Sequence, residues 1–94
     1  MLQDTISRLR GISGECILRY AAGEDWLVRV KQDGPRYIKP VRLNDAGAAL
    51  WRALADGAGE NTLLSMLTDE EEPTPQTYED LTDFLSQLCA ALEG

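Results

Sequence analysis

The sequence predicts an α+β fold, a three-stranded antiparallel sheet followed by three helices. Apolar residues alternate with period two between Cys16 and Leu43, and from Asn44 onward they recur at helical spacing. Turn residues at Ala22-Gly23-Glu24-Asp25 and in "QDGPR" divide the alternating half into three runs. Helices that follow such a sheet are expected to pack on one of its faces.

Ile6 and Leu9 stand at helical spacing near the start, so residues 1–13 form either a short helix or a loose N-terminal arm. "CILRYAAGEDWLVRVK" reads as a hairpin: Ile17 and Arg19 oppose Leu18 and Tyr20, and Trp26, Val28 and Val30 alternate with Leu27, Arg29 and Lys31. "RYIKPVRL" reads as the third strand, with Tyr37, Lys39, Val41 and Leu43 on one face. Pro40 lacks an amide hydrogen and therefore belongs on an edge strand or at a bulge, which places this strand at the sheet edge.

Asn44 or Asp45 can cap the first helix of the second half, which carries Leu50, Trp51 and Leu54 and stops near Asp56-Gly57. Gly47 is expected to let this helix approach the sheet closely, with Trp51 filling the core beneath it. A shorter helix in "ENTLLSMLTDE" has Asn61 as its cap and Leu63, Leu64, Met66 and Leu67 as its apolar set. After "EEEPTP", Thr74 caps a long helix with Pro75 at its first position, where a missing N–H costs nothing. Its apolar residues Tyr78, Leu81, Leu85, Leu88 and Leu92 recur at intervals of three and four, with Phe84 beside them.

A chain of 94 residues has room for one modest core, so residues 1–94 are expected to form one domain. No stretch approaches the roughly 20 apolar residues of a membrane span, and "MLQDTISRLRGISGE" has no apolar signal region. The expectation is a soluble, cytoplasmic protein without membrane contact. The net charge of −7 is unevenly placed: residues 1–43 carry eight basic and five acidic side chains, residues 44–94 one basic and eleven acidic. Phosphate would be repelled by that helical half, which argues against a nucleic-acid partner.

Nothing in the sequence points to catalysis. There is no histidine to activate a serine or hold zinc, and Cys16 and Cys89 lie far apart without a CxxC pair, so no metal or other cofactor is expected. Both cysteines read as reduced thiols acting as small hydrophobes. The acidic run at residues 69–72 reads as a solvated loop, and Glu79, Asp80 and Asp83 as carboxylates favoured near a helix amino terminus. Binding, and not enzymatic activity, is the function class that remains.

"RLNDAGAALWRAL" resembles the PqqD-like family of RiPP precursor recognition elements at Leu43, Asn44, Gly47, Leu50, Trp51 and Leu54. "CILRYAAGEDWLVRV" is similar to that family's first hairpin and "YEDLTDFLSQLCAAL" to its last helix, so the likeness spans residues 14–92. It implies a winged-helix-like, non-catalytic module that binds the leader segment of a ribosomally made precursor peptide. The module presents that peptide to a modifying enzyme, often a radical-SAM maturase. The leader is expected to add as a strand to the third strand and to place side chains in a cleft against the last helix.

The leader-binding residues so implied are Arg36, Tyr37, Ile38, Lys39, Val41 and Arg42 on the strand side and Tyr78, Leu81, Leu85 and Leu88 on the helix. Arg36, Lys39 and Arg42 suit acidic leader residues, or serve as charges that keep a free edge from aggregating. Two departures from the family pattern stand out: Ala46 replaces a hydroxyl residue at the helix start, and Pro40 removes one donor from the docking strand and bears on its register. The competing reading is an adaptor that forms a homodimer through the same edge; a winged-helix nucleic-acid binder is a third reading that the charge disfavours.

Overall fold

A computed structural model of the chain describes residues 2–30, 38–68 and 72–93. The order is α1 (Leu2–Ser13), β1 (Cys16–Ala21), β2 (Glu24–Arg29), β3 (Val41–Leu43), α2 (Asp45–Ala55), α3 (Glu60–Met66) and α4 (Pro75–Glu93). The three-stranded antiparallel sheet followed by three helices is the α+β arrangement the sequence predicts. The N-terminal segment is a helix, and because it precedes the sheet the likeness to a winged helix is approximate. The "QDGPR" turn, Lys31, Arg36, Tyr37 and residues 69–71 lie outside the described residues.

The sheet order is β1-β2-β3, so β3 is an edge. The hairpin turn is Ala22-Gly23, whose φ values of 55° and 80° are the two positive angles of a type I′ turn. Glycine adopts this conformation freely, whereas Ala22 does so at a steric cost. The third strand is shorter than its sequence pattern, beginning only after Pro40.

Cys16, Leu18, Leu27, Arg29, Val41 and Leu43 share the inner face by their pairing. Leu27 and Leu43 are buried there and join Ile6 and Leu9 of α1, Leu50, Trp51 and Leu54 of α2, Leu63 and Leu64 of α3, and the α4 stripe Leu81, Leu85, Leu88 and Leu92. Each such leucine removed from water contributes about 1.5–3 kcal/mol, which is why the period of the apolar pattern decides the packing. Met66, expected in the apolar set, is exposed instead.

Polar groups fix the helix ends. The Asn44 side chain accepts from the Gly47 N–H at 2.7 Å and so caps α2. Thr74 and Thr77 bond reciprocally across the first turn of α4: the Thr77 N–H donates to Thr74 Oγ1 and the Thr74 N–H to Thr77 Oγ1, both at 3.3 Å. For α3 the cap is Gly59 and not Asn61, which lies inside the helix. Two arginines close carboxyl ends: Arg29 donates to the Leu92 carbonyl at 2.7 Å, and Arg10 to the carbonyls of Leu54, at 3.2 Å, and Ala58. Arg29 also pairs with Glu15 at 3.0 Å, tying α4 to the hairpin.

Gly47 does permit a close approach, but to α4 and not to the sheet. A Cβ at this position would stand 3.2 Å from the Phe84 ring and 3.1 Å from Asn44 Oδ1. Trp51 is buried in the core as expected.

Candidate functional site

The register of the hairpin determines what the β3 edge exposes. In a two-residue hairpin the residues flanking the turn, Ala21 and Glu24, form a hydrogen-bonded pair, and such pairs alternate along the ladder. The bond from the Val30 N–H to the Glu15 carbonyl, 2.8 Å, keeps this alternation at the far end. Glu24, Trp26 and Val28 therefore direct their backbone groups toward β1, and Asp25, Leu27 and Arg29 direct theirs toward β3. Since Asp25 pairs with Leu43 and Leu27 with Val41, those two β3 residues are committed to the ladder. Arg42, between them, turns both its N–H and its carbonyl away from the sheet. Pro40 has the same parity and supplies only a carbonyl. Among the described residues, one fully equipped residue thus stands at the free edge.

Beside this edge lies an open cleft of about 360 Å³, lined by Val41, Arg42, Leu43 and Asn44 on one side and by Phe84, Gln87, Leu88 and Ala91 on the other. The four α4 residues follow the i, i+3, i+4, i+7 spacing of one helix stripe. That stripe is adjacent to the core stripe and shares Leu88 with it. At one end of the wall the half-buried Phe84 ring packs close to Gly47 of α2.

The residues singled out from the sequence divide accordingly. Val41, Arg42 and Leu88 meet at the cleft. Leu81 and Leu85 are 0% and 1% exposed and belong to the core, while Tyr78, 42% exposed, lies in the first turn of α4 and does not line the cleft. Ile38 is half-buried and Lys39 exposed, both ahead of β3; Lys39 lines a groove on the outer sheet face. Arg36 and Tyr37 are outside the described residues. Gln87 and Ala91 were not distinguishable as cleft residues, whereas Phe84, an aromatic beside the regular leucine stripe, is the signal that marks the second stripe.

Arg42 borders the cleft through its edge backbone, while by register its exposed side chain lies on the outer face of the sheet, 3.3 Å from Glu24. Away from the cleft, Cys89 is buried and donates to Glu93 at 2.9 Å. Burial above all, and then the Glu93 carboxylate, push this thiol above its ordinary range. Burial also raises the Cys16 thiol, with Arg29 opposing. Neither cysteine is a poised nucleophile. Among the described residues no cluster of His, Cys, Asp or Glu could hold a metal ion, and no helix is long and apolar enough to cross a membrane.

An open antiparallel edge beside a cleft against a neighbouring helix is the geometry of the small α+β folds that can accept an added strand. Residues 28–91 match the family described as coenzyme PQQ synthesis protein D (PqqD), from the end of β2 through most of α4. The match takes in more than half of the chain, which therefore belongs to the PqqD family, the family that forms RiPP recognition elements. Its members are non-catalytic accessory proteins of PQQ and related ribosomal-peptide biosynthesis. No curated protein and no solved structure matches the chain.

Proposed function

We propose that this protein recognises the leader segment of a ribosomally synthesised precursor peptide and presents it to a modifying enzyme, a radical-SAM maturase being the class we favour. The observation that carries the reading is the parity of β3. Among the described residues Arg42 has no strand partner for its outward N–H and carbonyl, and the cleft between β3 and α4 opens beside it. A leader strand added there accepts from the Arg42 N–H and donates to the carbonyls of Arg42 and Pro40. Its inward side chains rest on Phe84, Leu88 and Ala91. Each bond contributes about 0.5–1.5 kcal/mol net, so affinity depends as much on the cleft as on the edge. Pro40 confines full pairing to the short segment around Arg42.

The test is titration of isotope-labelled protein with the leader of the precursor encoded beside its gene, followed by backbone amide shifts. Saturable shifts at Val41 and Arg42 and along residues 84–91 are expected. A folded protein that shows no shifts at high peptide excess refutes leader recognition. An edge that accepts a peptide also accepts a second copy of the chain, so sedimentation of the free protein separates docking from a homodimer.

A further inference from the structure

The outer face of the sheet carries a second surface, separate from the cleft. Ile17, Arg19 and Ala21 of β1, Trp26 and Val28 of β2 and Arg42 of β3 share it by register: Ile17 opposes Val28, and Trp26 stands between Arg19 and Arg42. Among the described residues no helix covers this face, and Ile17 is 40% exposed. A shallow apolar groove of about 580 Å³ runs along it, lined by Arg19, Ala21, Trp26, Val28, Lys39 and Pro40. The indole Nε1 donates to the Ala21 carbonyl at 3.2 Å, which ties the Trp26 ring, part of the groove's lining, to the hairpin. Neither Arg19 nor Lys39 forms an ion pair among the described residues, and Glu24 is the one carboxylate on the face.

We propose that this outer face docks the acidic, apolar surface of a partner protein, and that the partner is the modifying enzyme; the second clause rests on the reading given under Proposed function. Charge selects the occupant. In a chain of net charge −7, this face gathers Arg19, Lys39 and Arg42 around an aromatic and aliphatic floor, and among the described residues Arg19 and Lys39 form no ion pair. A second copy laid face to face sets Arg19 and Lys39 against cations, so an isologous dimer is opposed. An acidic rim around an apolar centre satisfies both the guanidinium and the ammonium while covering Trp26 and Val28, the arrangement in which aromatic and arginine side chains contribute most to an interface. Geometry adds a reason: cleft and groove lie on opposite faces of the sheet and share only the β3 edge, so leader and enzyme need not compete.

The experiment uses the full chain, the leader of the precursor encoded beside it and the modifying enzyme encoded beside it. Affinities of wild type, Arg19→Glu and Val28→Asp are measured for each of the two. The expected result is enzyme binding weakened by about tenfold or more in both variants, with leader affinity within about twofold of wild type. Arg19→Glu changes an exposed side chain and keeps the test open if Val28→Asp fails to fold. Enzyme affinity equal to wild type in Arg19→Glu overturns the proposal. So does sedimentation in which the chain alone self-associates and Val28→Asp abolishes it, or binding to phosphatidylglycerol vesicles that Arg19→Glu removes. Failure of the wild type to bind leader, with enzyme binding still sensitive to Arg19→Glu, refutes leader recognition and leaves the groove as a docking surface.

Discussion

Proline substitution at neighbouring positions of β3 separates folding from binding, because the two N–H groups point in opposite directions. The Val41 N–H belongs to the ladder with Leu27, so Val41→Pro orphans the carbonyl of a residue that is fully buried. An unsatisfied buried acceptor costs about 1–3 kcal/mol. For a chain of this size each kcal/mol lowers Tm by roughly 4–8 °C, so Val41→Pro is expected to melt at least about 4 °C below wild type. Arg42→Pro removes a donor that faces away from the sheet, and edge strands tolerate proline there; its Tm stays within about 2 °C of wild type. Leader binding reverses the ranking. Losing one docking bond and leaving the peptide carbonyl unpaired costs about 1–3 kcal/mol, or roughly five- to 150-fold in Kd. Arg42→Ala keeps the N–H and loses only an exposed ion pair, about 0–1 kcal/mol, and serves as the reference for lost charge. Calorimetric titration and thermal melting decide the matter. If Arg42→Pro melts as low as Val41→Pro, the assigned parity is wrong; if it binds leader as well as Arg42→Ala, the edge is not the docking strand.

Phe84→Ala and Leu85→Ala should part in the same way. Removing fully buried Leu85 is expected to destabilise the fold by about 2–5 kcal/mol in denaturant unfolding, whereas Phe84→Ala costs less and weakens leader binding by about tenfold. Arg29→Met deletes the charged bonds to the Leu92 carbonyl and to Glu15, and chemical denaturation should show a loss of about 2 kcal/mol or more. Cys89 should alkylate slowly at pH 8 in the native protein, because burial raises its thiol, and rapidly once denaturant is added; fast native labelling would contradict its placement.

Much of this was legible in the sequence where a period is long and a cap is local. The α4 leucines, Asn44 and Thr74 needed only spacing and side-chain chemistry. The hairpin followed from alternation broken at Ala22-Gly23. What escaped depends on which element stands opposite. Tyr78 fits the apolar repeat of α4 but falls in its first turn, where it is left exposed. Gly47 was placed correctly as a point of close approach, while its partner, Phe84, is 37 positions away and no local pattern names it. Arg10 and Arg29 enter the sequence only as members of a basic half, yet each donates to the carbonyl end of a helix distant in sequence. For a similar reason the leucine repeat, which marks the core stripe, does not name the residues lining the cleft: Phe84, Gln87 and Ala91 stand one position around the helix from Leu85, Leu88 and Leu92.

That adjacency constrains how the protein can vary. Phe84, Gln87 and Ala91 touch the cleft without joining the fully buried core, so substitutions there alter what the cleft accepts at small cost to folding. Leu88 belongs to both stripes, and any change at it is felt twice. Lineages that acquire new peptide partners are therefore expected to drift at the three flanking positions and to hold an aliphatic residue at position 88.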